Sequence, residues 1–143
     1  PDREMEGFGP NIDAMKKLAL NHSLIICVDC GTDSEEAIRG ATEQGVDVIV
    51  IDHHKSNTLS KSAYAIINPN RFDEKNIFSY LCAAGVVFIF LVEMNRIIPK
   101  SRSSKINLLG YLNLVSLATV ADVVPLIGLN RAFVKQGLKI FQN

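Results

Sequence analysis

Two apolar runs, SLIICVD at 23–29 and VDVIVID at 46–52, leave this chain few folds to choose from. Each is nearly continuous rather than alternating, the pattern of a strand covered on both faces. Between them lies a segment with helix signals: Ser34 as a candidate N-cap, Glu35 and Glu36 in the first turn, and Gly45 at the stop. Strand, helix, strand over about thirty residues is a βαβ unit, so the two strands should run parallel with a right-handed crossover. Upstream, NIDAMKKLALN predicts a short helix capped by Asn11, with Ile12, Met15, Leu18 and Ala19 on one face. Downstream, AYAIINP predicts a third strand closed by Asn68-Pro69. FSYLCAAGVVFIFLVEMNRI predicts a long, mostly buried helix, and INLLGYLNLVSLATVAD another that ends near Asp122, ahead of Pro125. Asn130 then opens a last helix, RAFVKQGLKIF. The expected class is α/β: a parallel sheet of βαβ units flanked by helices, with a helical C-terminal part from about residue 78 to 143.

With 143 residues the chain can bury one core. Its longest apolar run, AAGVVFIFLV, falls short of the ~18–20 residues a membrane span needs. No secretory signal opens the sequence, so a cytoplasmic protein without a membrane partner is expected. Fifteen basic and fifteen acidic side chains cancel, so net charge neither advertises nor excludes nucleic acid. Cys27 and Cys30 form a CxxC, but the first lies inside a strand-like run and no second pair completes a zinc site; a reduced, structural reading is favoured. The opening residues, PDREMEGFGPN, read as a loop arriving from elsewhere, so a fragment of a longer protein is expected.

Chemistry in open parallel sheets gathers at the carboxyl ends of the strands. Here the first strand ends in Asp29 and the second in Asp52, His53 and His54, while a third acid, Asp122, closes LATVAD. Strands ~4.8 Å apart would let these side chains reach one centre. The carboxylates and the neutral imidazole of His53 converging on a point call for positive charge, and a mixed oxygen and nitrogen set suits manganese or magnesium better than a thiolate-seeking ion. A single strand-end aspartate is more often a cap or turn residue, and a lone histidine is commonly structural. Two histidines after an aspartate, beside a second strand that also ends in aspartate, favour a functional site.

IDHH at 51–54, VDCG at 28–31 and ATVADVVPL at 118–126 together resemble the DHH phosphoesterase superfamily. PDREMEGFGPN, INPNR at 67–71 and LCAAGVVF at 81–88 resemble, in the same order, stretches of its bacterial RecJ branch, single-strand-specific DNA exonucleases that digest from the 5′ end. The resemblance spans essentially the whole chain. It implies a DHH-type domain that hydrolyses phosphodiesters with two divalent ions, manganese favoured over magnesium, in DNA repair and recombination. Asp29 would bridge the ions, and His53 and Asp122 would be ligands. His54 would stand near the scissile phosphate, and Asp52 would orient the histidines.

The chain departs from that pattern in three ways. The family's first aspartate motif is absent, so the domain is expected to be incomplete on its N-terminal side and, alone, inactive. The second domain of the family is expected to be missing as well. Ala83 also stands where glycine is more usual after the cysteine. Among basic residues, Lys55 and Arg71 are candidates for substrate phosphate, with Arg3 a weaker one; a solvated arginine is an equal reading of Arg71. Lys100, Arg102 and Lys105 read as a solvated face. Two other functions share the sequence: hydrolysis of small substrates (short oligonucleotides, cyclic dinucleotides or pyrophosphate), and a non-catalytic replication scaffold, against which retention of Asp29, His53, His54 and Asp122 argues. Self-association is expected if a missing strand leaves a sheet edge uncovered.

Overall fold

The computed structural model describes residues 4, 7–75, 77–99 and 106–142, and Arg3, Lys100, Arg102 and Lys105 lie outside them. The chain falls into two compact units, Pro1–Ser79 and Tyr80–Asn143.

The first unit is a three-stranded parallel sheet with two helices. Helix α1 (Ile12–Ala19) starts where the Asn11 side chain accepts from the Ala14 N–H at 2.7 Å. Strand β1 (Leu24–Val28), helix α2 (Glu35–Thr42), strand β2 (Asp47–Ile51) and strand β3 (Ala65–Ile67) follow in the order β1-β2-β3. Both pairings are parallel, as the βαβ reading requires. Met15 and Ala19 from α1, and Ala37, Ile38 and Ala41 from α2, pack with Ile25, Cys27, Val48 and Val50 into one core. Gly40 lets α1 approach: a Cβ there would stand 3.3 Å from Ile12 Cγ2. Ser34 occupies the N-cap of α2 but makes no side-chain capping bond.

The expectation of two covered faces fails for β1. Its burial alternates strictly, with Leu24, Ile26 and Val28 each nearly half exposed. The cause is position: β1 is an edge of the described sheet, and the core formed with α1 and α2 takes only the Ile25 and Cys27 side. Central β2 keeps the fuller burial, with Val48 and Val50 fully buried and Ile51 at 2% exposure. Between β2 and β3 the chain is strapped to the start of α2. Asp33 accepts from the hydroxyls of Ser56 (2.5 Å) and Thr58 (2.7 Å), and Glu35 accepts from Ser60, Ser62 and the Lys61 N–H. The Ser60 and Ser62 hydroxyls hold the Glu35 carboxyl below its ordinary range.

The second unit is helical: α3 (Ala83–Ile97), a 3-10 turn (Leu108–Tyr111), α4 (Leu112–Ala121) and α5 (Gly128–Phe141). The helix predicted from Phe78 begins only at Ala83. It is buried through its first half, whereas Ile89, Leu91, Val92, Met94 and Ile97 are exposed. Ala83, in place of the more usual glycine, is itself buried. Helix α4 ends with Asp122 as its C-cap. The last helix starts two residues before Asn130, whose buried amide instead donates to the carbonyls of Tyr80 (2.6 Å) and Pro125 (2.9 Å). Phe88 meets Phe133 edge to face at 5.3 Å. No helix among the described residues is long and apolar enough to cross a membrane.

Candidate metal centre

Register builds this site. Val28 pairs with Ile51 and Ile51 with Ile67, so the three strands finish level. The pairing runs one residue further, with the Asp29 N–H donating to Ile51 O and the Asp52 N–H to Ile67 O, each at 3.0 Å. Asp29, Asp52 and Asn68 therefore leave the carboxyl edge side by side. Asp29 then turns the chain with φ +63, a left-handed conformation that aspartate tolerates better than most residues. Gly31, at φ +108, folds the loop back so closely that a Cβ would lie 3.2 Å from Cys27 Cβ and 3.3 Å from Val50 Cγ2.

The Asp29 carboxylate lies 3.2 Å from His53 Nε2. The His53 side chain is mostly enclosed, at 13% exposure, while those of Asp29 and His54 are about 60% exposed. The two imidazole centroids are 4.6 Å apart. One ligand atom from each of Asp29, His53 and His54 falls within 4.8 Å of the others. One carboxylate oxygen and two imidazole nitrogens, with no thiolate in the group, make a mixed donor set suited to a first-row divalent ion such as manganese rather than to an all-oxygen ion.

Asp52 sits behind them, buried to 1% exposure. Its Oδ2 accepts from the Thr32 hydroxyl (2.7 Å) and N–H (3.2 Å). Its Oδ1 accepts from the His53 N–H (2.8 Å) and the His54 N–H (3.3 Å), and lies 2.7 Å from His54 Nδ1. Burial pushes this carboxyl up, but the bonds from Thr32, His54 and His53 outweigh it and leave it below the ordinary aspartate range. With Asp52 ionised, His54 Nδ1 is the donor, which places the ring's lone pair on Nε2.

Sequence reasoning missed three participants. Thr32 and Asn68 are buried, and Asn68 Nδ2 donates to Thr32 Oγ1 (2.9 Å) and to His54 O (2.8 Å). Asn70 Nδ2 donates to His53 O at 2.6 Å. The available signal was their place: each follows a strand end, in GTDS and INPN, as the aspartates do.

Other candidates stand differently. Asp122 belongs to the second unit, and the ligand group in the first is made by Asp29, His53 and His54. Arg71 is held by Asp73 (Nε at 2.9 Å, Nη2 at 2.6 Å) and donates from Nη1 to Ile66 O at 2.7 Å, so its guanidinium braces the end of β3. Lys55 is exposed beside His54. The Cys27 thiol bonds the Cys30 sulfur, which lowers Cys30 to about 7 and pushes Cys27 up. Neither is in the ligand group.

The model of the DHH family, N-terminal domain, matches residues 2–119 of the sequence, and the chain belongs to that family. Within it, the chain is 35% identical to the single-stranded-DNA-specific exonuclease RecJ of Escherichia coli (strain K12) and 33% identical to that of Dickeya dadantii (strain 3937). Each match covers 96% of this chain and 25% of the relative, so the chain spans about a quarter of their length. A crystal structure of exonuclease RecJ bound to manganese superposes with a TM-score of 0.81 at 32% identity, covering 97% of this chain and 34% of that one.

Proposed function

We propose that this chain is the metal-bearing part of a RecJ-type exonuclease that hydrolyses single-stranded DNA from the 5′ end in DNA repair and recombination. The observation that carries the reading is the Asp29, His53 and His54 group on the carboxyl edge of a DHH-family sheet. Asp29 is assigned as the bridging carboxylate, His53 and Asp122 as ligands, His54 as the group beside the scissile phosphate, and Asp52 as the residue that orients both histidines. Two divalent ions, manganese in preference to magnesium, would supply charge to the phosphate and a hydroxide nucleophile at neutral pH. The protein's part is to hold His54 with Nδ1–H on Asp52, so that Nε2 is left as an acceptor or, once protonated, as a proton donor to the leaving oxygen. Lys55, exposed next to His54 in the sequence, is assigned to meet DNA phosphate by charge alone. Arg71 could add a phosphate contact only while shared with Asp73. The nearly half-exposed apolar side of β1 supports self-association of the isolated chain.

The test is His53→Ala in the full-length protein. Hydrolysis of single-stranded DNA in manganese should fall by two orders of magnitude or more, with DNA binding largely kept, because backbone contacts come from other residues. Asp122→Asn should act likewise, since it keeps the shape but loses the charge that holds a cation. Near-normal turnover by either variant would remove that residue from the ligand set.

A further inference from the structure

The Asn68 amide spends one donor on the DHH loop and the other on Thr32, and the direction of each bond can be followed from there. The two N–H groups of Asn68 point at His54 O and Thr32 Oγ1, and its Oδ1 accepts from the Asn70 N–H at 2.8 Å. The reversed amide would set an oxygen against the His54 carbonyl and an NH2 against the Asn70 N–H, so chemistry fixes the orientation. Because Thr32 Oγ1 receives a proton from Asn68, its own proton goes to Asp52 Oδ2. The other oxygen of Asp52 takes the His53 and His54 backbone N–H groups and the His54 ring. Asn70 spends its amide on His53 O and on Ser79 O at 3.1 Å. The peptide carbonyls of both histidines are thus pinned by the segment that ends β3.

From this geometry we infer that Asn68, Asn70 and Thr32 are positioning residues of the metal centre. Asn68 and Asn70 lock the backbone of His53 and His54, and the relay Asn68 to Thr32 to Asp52 holds the Asp52 carboxylate against His54 Nδ1. The metal readouts rest on the function proposed above; the relay does not.

The experiment compares Asn68→Asp, Thr32→Val and Thr32→Ser in the full-length protein. Asn68→Asp keeps the acceptor for Asn70 but sets a carboxylate oxygen against His54 O and Thr32. Thr32→Val keeps the volume and loses the hydroxyl, whereas Thr32→Ser keeps the hydroxyl. Losing a partner behind a metal ligand should raise the manganese concentration for half-maximal activity, and the manganese dissociation constant by calorimetry, about tenfold or more in Asn68→Asp and Thr32→Val. Thr32→Ser should restore both. Nitrogen-15 shifts of selectively labelled histidine should report the Nδ1–H form of His54 in wild type and Thr32→Ser, and its loss in the other two. Manganese dependence and ring signals unchanged in folded Asn68→Asp and Thr32→Val would overturn the inference, as would a fall in melting temperature with no change in metal affinity. Should the wild type neither bind manganese nor degrade DNA, the functional proposal fails, and the ring signals alone still decide the relay.

Discussion

Asp52 shows how much depends on one buried carboxylate. Five hydrogen bonds converge on it, and they keep it ionised against the cost of burial. Asp52→Asn would place an NH2 or a neutral oxygen opposite donors that need a charged acceptor. Breaking a buried, hydrogen-bonded charge in this way should cost about 3 kcal/mol or more, measured by urea unfolding. The pH dependence has a defined sign. The folded pKa lies below the unfolded one, so the stabilisation is present above the ordinary aspartate value of about 4 and is lost as pH falls through the lowered folded value. Wild type should therefore lose stability more steeply than Asp52→Asn on acidification below about pH 4. Part of this was legible beforehand: the resemblance of IDHH to the DHH superfamily implies an orienting role for Asp52. The role of Thr32 was not, because a threonine in a GTDS loop looks like any turn residue until the fold sets it against Asp52.

Elements were legible where a local rule governs them. The Asn11 cap of α1, the stop of α2 at Thr42 shortly ahead of Gly45 (φ +81) and the end of α4 at Asp122 all follow from short-range chemistry. They were misread where packing overrides the pattern. The apolar run after Ala83 suggests a helix buried along its length, yet the far half of α3 is exposed. Asn130 looks like a cap but ties the loops at Tyr80 and Pro125 from inside the first turn of α5. Gly137 belongs with these tertiary cases. A Cβ there would collide with the Leu112 carbonyl and with Ser116 Cβ, so the α4–α5 approach needs glycine. Gly137→Ala would gain about 1 kcal/mol of helix propensity, but overpacking against a backbone carbonyl costs about 1–3 kcal/mol. The carbonyl cannot rotate away, so the net effect should be a lower melting temperature. A stabilised variant would show that α5 is not seated as closely as described.

For the molecule as a whole, the ligand group supplies one carboxylate and two imidazoles, and divalent manganese and magnesium hold weakly to incomplete sites because water competes for each position. The 143-residue chain alone is therefore expected to bind manganese no tighter than millimolar and to leave single-stranded DNA intact. Calorimetric titration beside a nuclease assay checks this; tight binding of two ions, or digestion by the chain alone, would contradict it. The sequence by itself determined the strand–helix–strand order, the parallel pairing, and the placing of Asp29, Asp52 and His53 at one sheet edge. These depend on apolar continuity and on where each run stops, both local properties. Tertiary structure alone decided that β1 bares one side, that a ring nitrogen of His54 comes within 4.8 Å of the Asp29 and His53 ligand atoms, and that Asn68, Asn70 and Thr32 stand behind them. Those outcomes depend on which strand lies at the edge and on hydrogen bonds between residues 14 to 36 positions apart, which no periodicity records.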